Sequence, residues 1–274
     1  MSNTYDRPAS GATPAPAPAP APAALTELPP RRPVQLFHPT VARLTWRGIL
    51  GRRRGALLFV LPVVLLGLAT VIRLAAGVDH SLTNSLLGSF ALATIVPLLS
   101  LLAGTGAIGT EIDDGSIVYL LAKPVRRPTV VLTKLWVSIA CTTLFGALPI
   151  TVAGLIMSGA ERGLAIGYGV GAFAAGVTYS AVFLLLGVVS RNAVVIGLLY
   201  ALVWESLVGS LVDGAKTLSV QQWGLSVAAD LADPGAIGAD VSINTAIILL
   251  LVVTGAATWF AAHRLRSISL TGEE

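Results

Sequence analysis

Residues 111–134 read EIDDGSIVYLLAKPVRRPTVVLTK, a charged, proline-interrupted island set between two long apolar runs. The island holds three acids (Glu111, Asp113, Asp114) and four bases (Lys123, Arg126, Arg127, Lys134). Charged residues make up 12% of the whole chain and hydrophobic ones 54%, where a soluble domain carries roughly 25% charged. Each flanking run is long enough to cross a bilayer, so the island is a loop at a membrane face. Its contents suit a surface that another body grips.

Working outward, the mean hydropathy of +0.80 and repeated apolar runs place the chain among all-α membrane proteins that cross the bilayer several times. Six spans are expected, at about 56–76, 86–109, 135–158, 164–190, 193–212 and 243–262. A helix needs about 20 apolar residues to cross a core of about 30 Å. The run 164–190 is overlong and is expected to tilt or to extend past the interface. Pro62, Pro97 and Pro149 fall inside spans, where neighbouring helices can satisfy the carbonyls that a proline frees.

Lysine and arginine placement sets the orientation. With the N-terminus inside, the cytoplasmic face receives Arg7, Arg31, Arg32, Arg43, Arg47 and Arg52–Arg54 ahead of the first span. It also receives the four bases of the island, Arg191, Arg264 and Arg266. That is 15 of the 18 basic residues; only Arg73, Arg162 and Lys216 fall outside. Every connection agrees, so both termini are expected in the cytoplasm.

Residues 1–34 include the proline–alanine repeat TPAPAPAPAPAA at 13–24. Such a repeat cannot bury a core and reads as an extended, disordered tail, with no secretory cleavage site after the first apolar run. Residues 35–54, QLFHPTVARLTWRGILGRRR, alternate bulky apolar and basic positions. Val41, Leu44, Trp46, Ile49 and Leu50 are compatible with one face of an interfacial helix. Ordinary juxtamembrane anchoring and an elbow helix on the cytoplasmic leaflet both fit. The outer connection, about 213–242, holds Asp213, Asp230, Asp233 and Asp240 against one lysine. Its apolar stretch near Trp223–Leu231 suggests a short re-entrant or surface helical hairpin.

Within the island, Asp113 or Asp114 can cap a short helix, with Gly115 easing the bend. Ile117, Val118, Leu120 and Leu121 form an apolar surface of about a turn and a half. Lys123-Pro124 ends it, and Arg126-Arg127 open a second short element leading to Lys134. The order Glu111, Gly115-Ser116, Leu120-Leu121-Ala122, Pro124-Val125, Arg127 and then Lys134 resembles the membrane subunits of type-2 ABC transporters. Ser116 departs from that family's usual threonine, and Lys123 and Arg126 add positive charge.

The resemblance covers roughly residues 35–266 and implies a six-span permease domain. An N-terminal cytoplasmic elbow helix would precede it, and a cytoplasmic coupling helix would lie between spans two and three. Residues 267–274 would be a cytoplasmic tail. It further implies a permease half, as an exporter, working as a homo- or heterodimer in a bacterial inner membrane with separate ATP-binding subunits. No cofactor is expected in this chain; ATP and Mg would be bound by the partner. Glu111, Asp113, Asp114, Gly115, Ile117, Leu120, Leu121, Pro124, Arg126 and Arg127 would form the contact with the ATPase. On the residues alone, the same stretch also reads as a capped turn with interfacial arginines. An ion-gradient-driven transporter and a non-transporting membrane scaffold are the rival functions.

Other motifs carry less. The stretch Gly209–Thr217 approaches a phosphate-binding loop, but Ala215 separates Gly214 from Lys216 and breaks the required spacing. Gly163, Gly167 and Gly171 recur every four residues, the small-residue pattern that lets membrane helices approach closely, within one subunit or at a dimer interface. Glu205 is an ionisable group at membrane depth. It pairs with Arg73, lines a pathway, or sits near the outer interface. Asp79-His80, Glu161-Arg162, Asp230 and Asp233 are solvated outer charges. With one cysteine, Cys141, and scattered histidines, neither a disulfide framework, a metal site nor a catalytic constellation is expected.

Overall fold

The computed structural model of the chain describes residues 39–51, 53–113, 127–159, 162–208 and 216–267. Every regular element among them is a helix. Helix α1, Pro39–Leu50, starts with proline, whose missing N–H costs nothing at a helix N-terminus. Val41, Thr45 and Ile49 recur every four residues and are buried. Leu44 is 54% exposed. At about 100° per residue, Leu44 stands on the flank opposite Trp46 and Leu50, which pack half-buried.

Helix α2 is Arg53–Ala76. The next long helix begins as α3, His80–Asn84, passes through a π-helical stretch, Ser85–Ile95, and continues as α4, Val96–Asp113. It starts six residues before the expected span because Asp79 caps it, its carboxylate accepting from the Leu82 N–H at 3.0 Å. The third long helix runs from α5, Arg127–Thr142, through a π stretch, Thr143–Ala147, into α6, Leu148–Ser158. Gly159, at φ +64°, closes it. Both π stretches end two residues before a proline, Pro97 or Pro149. Proline lacks the N–H and clashes with the carbonyl four residues back, and the wider π turn relieves that clash.

Helix α7 is Arg162–Val189. Helix α8, Ala193–Leu199, continues as a third π stretch, Tyr200–Val208. Helix α9, Val220–Leu231, lies within the outer connection, and α10 is Ile243–Ser267. Among the described residues, five segments are long and apolar enough to cross a membrane: Gly55–Ala76, His80–Ile108, Pro128–Ser158, Arg162–Val189 and Ile243–Leu265. The expected fifth span, 193–212, is represented among the described residues by the shorter apolar helix Ala193–Trp204.

The described residues belong to one unit spanning 34–274, and α7 is its axis. It packs against α4, α6, α9 and α10, burying Tyr168, Tyr179, Phe183 and Leu184. Helices α2 and α10 are peripheral. Leu74 is 82% exposed and Leu251 69%, which would be costly in water but is ordinary against lipid chains.

Candidate functional site

The junction around the charged island is built from α1, α4 and α5. The sequence places Lys134 at the end of a loop; the structure places it about two turns inside α5, fully buried. Its ammonium donates to the Ala107 carbonyl of α4 at 2.5 Å. A buried charge is tolerated only with such partners, so the two helices that bracket 114–126 are tied at this point. Thr129, Val130, Val131 and Thr133 around it are buried as well.

The same stretch of α4 is gripped from two further sides. Ile49 of α1 lies over Gly106, where an added Cβ would stand 3.8 Å from its Cγ1. On the α7 side, an added Cβ on Gly104 would meet the Phe183 Cβ at 2.9 Å and the Leu184 N at 3.0 Å. Those are backbone-scale approaches that only glycine permits. The α4–α5 junction is therefore packed directly against α7, the axis of the fold.

Of the residues expected to contact an ATPase, Glu111 and Asp113 lie on the last turn of α4 and Arg127 opens α5. Asp114, Gly115, Ile117, Leu120, Leu121, Pro124 and Arg126 lie outside the described residues, as does the expected coupling helix. Arg73 is half-buried in the last turn of α2, with its guanidinium 3.5 Å from where a Cβ on Gly159 would stand. Glu205 falls on the π stretch Tyr200–Val208, which packs against the π stretch Ser85–Ile95. Its side chain is outside the described residues.

The glycine stripe faces α9. An added Cβ on Gly167 would stand 2.6 Å from the Ala228 carbonyl oxygen, and one on Gly171 would collide with the Gly224 carbonyl oxygen. Gly163 lies by Asp233, at 3.5 Å on the same measure.

Sequence reasoning missed a polar clamp over α9 and the segment that follows it. The Tyr168 hydroxyl donates to Asn84 Oδ1 at 3.0 Å, and Asn84 Nδ2 donates to the Ala236 carbonyl at 2.7 Å. Gln221 Nε2 reaches the Gly88 carbonyl at 3.3 Å, and the Ser226 hydroxyl donates to the Val241 carbonyl at 2.8 Å. Tyr168 is a single polar residue in an apolar run, and that isolation was the available signal; Asn84 lies among Thr83 and Ser85 and gave none. Together these bonds tie α7 to the second long helix, that helix to α9 and to the segment 232–242, and α9 to Val241 just ahead of α10.

No curated protein matches the chain. The family described as "ABC-2 family transporter protein" matches residues 40–235, which takes in α1, the charged island, the α7 axis and α9. With five apolar helices of spanning length beside that match, the chain belongs to the ABC-2 transporter family and is a multi-pass membrane permease.

Proposed function

We propose that the chain is one half of the membrane domain of an ATP-driven exporter, coupled to separate ATP-binding subunits. It acts as a dimer in a bacterial inner membrane, with both termini cytoplasmic and 193–212 as the fifth of six spans. ATP and Mg reside in the partner. The segment 114–126 supplies the coupling helix, with Ile117, Leu120 and Leu121 inserted into the ATPase and Arg126 and Arg127 pairing with its acids. Such charges fix register and partner choice more than affinity.

The observation that carries this reading is the tie from Lys134 to Ala107. It joins the two helices on either side of the coupling segment, so a movement imposed there shifts α4 and α5 together. The close contact of Gly104 with Phe183 and Leu184 passes that shift to α7. A rocking of two such units would open the pathway alternately to the two sides. A rival secondary transporter would need no such junction.

The test is ATP hydrolysis by the candidate ATPase, measured alone and with this chain in lipid nanodiscs. A several-fold change in rate on complex formation, lost when residues 114–126 are replaced by a Gly-Ser linker, is the expected result. An unchanged rate with a chain that is folded and inserted would overturn the proposal.

A further inference from the structure

The geometry points to a lateral binding groove for a single-chain cationic amphiphile between α7, α9 and α10. The groove has a volume of about 410 Å³, near the low end of small-molecule sites at roughly 300–1,000 Å³. Phe173 and Val177 of α7 form one wall, and Ile247 and Leu251 of α10 the other. Phe173 and Leu251 are 43% and 69% exposed, so the groove opens sideways rather than into the protein.

Two features separate it from an ordinary lipid-facing surface. Its floor carries Thr178 and Thr254, but their hydroxyls bond to each other at 2.9 Å. That pairing satisfies both, and the floor offers an apolar chain no competing polar demand. At the outer end, Asp230 is the one ionisable group among the described residues lining the groove. It stands in the last turn of α9, where the partial negative charge of the helix C-terminus adds to the carboxylate. Lys216, the single lysine of the outer connection, is held by Asp240 at 3.2 Å.

The dimensions fit the same occupant. Ile243 and Thr254 both line the groove, and eleven residues of helix span about 16 Å. With Ile243 at the outer start of α10, the groove runs from the outer interface to about mid-depth of a core of about 30 Å. An ammonium head at Asp230 would leave one alkyl chain lying along α10 and α7. A neutral or anionic head would forgo the carboxylate or be repelled by it. This site stands independently of export and of any ATPase.

The test uses the full chain in phosphatidylcholine nanodiscs with two probes of equal chain length, tetradecyltrimethylammonium and tetradecanol. Wild-type protein should bind the cation more tightly than the alcohol by about fivefold, the value of a partly exposed charge pair of about 1 kcal/mol. Asp230→Asn should remove that preference and leave the alcohol unchanged. Leu251→Trp, at an exposed position that folding tolerates, should weaken both probes. Equal binding of the cation to wild type and Asp230→Asn would overturn the proposal. So would a cysteine at position 251 that cross-links to a second copy and excludes both probes, since another protomer would then be the occupant.

Discussion

Replacing Gly167 by alanine should destabilise this protein, although alanine is the better helix former. Built on Gly167, a Cβ stands 2.6 Å from the Ala228 carbonyl oxygen. Against the 3.4 Å at which ordinary contact begins, that is a shortfall of about 0.8 Å. The opposing atom belongs to the backbone of α9, so no rotamer change relieves it and α9 must move away from α7. Overpacking of this kind costs about 1–3 kcal/mol, and a main-chain obstacle places it in the upper part of that range. The intrinsic gain of alanine over glycine in a helix, about 1 kcal/mol, offsets part of the cost. The net is a loss of about 1–2 kcal/mol, or a melting temperature lower by about 2–8 °C at about 2–4 °C per kcal/mol.

Gly48→Ala is the matched control, because a Cβ there meets nothing within 4 Å. It should gain about 1 kcal/mol and melt about 2–4 °C higher. Thermal unfolding in detergent, with light scattering to track mass, reads both. If Gly167→Ala melts at or above wild type, the close approach of α7 and α9 is refuted. If it instead changes only the oligomeric mass, the glycine stripe serves an interface between protomers.

The remaining predictions concern the two polar ties and the buried thiol. Lys134→Ala should cost about 2–5 kcal/mol, combining an internal cavity with a lost charged hydrogen bond. Lys134→Met, which keeps the apolar stem, should recover at least half of that loss yet leave ATP hydrolysis in the complex impaired. Restored hydrolysis in Lys134→Met would show that the ammonium does not tie the junction. Tyr168→Phe should cost about 1 kcal/mol and Asn84→Ala about 1–3, because the latter also strands the tyrosine hydroxyl. Both should speed proteolytic nicking within 232–242, and unchanged nicking would argue against the clamp. Cys141 is fully buried, so maleimide labelling should require denaturation; rapid labelling of the folded protein would contradict its placement against the core.

Five of the expected spans were legible because apolar length is a one-dimensional property. Their ends were not, where capping rather than hydropathy decides. Asp79 extends the second long helix by six residues, and Pro128 lets the third begin before Lys134. A lysine next to a span reads by default as an interface marker. Only the fold reveals that Lys134 turns inward onto Ala107. The glycine spacing at 163, 167 and 171 announced a close neighbour but could not say which, and the answer is a helix in the outer connection. The clamp of Asn84 and Tyr168 joins positions 84 residues apart, with no periodicity to reveal it.

The most direct test of the account is the amount of a phosphate-loop ATPase that co-purifies with the tagged, full-length chain from its native membranes. The account predicts an equimolar complex with wild type and its loss with Gly115→Pro or Arg127→Glu, while both variants still insert and melt like wild type. If no ATPase co-purifies with the wild-type chain under any condition, or if both variants retain it fully, the segment from Glu111 to Lys134 is not the socket proposed for it.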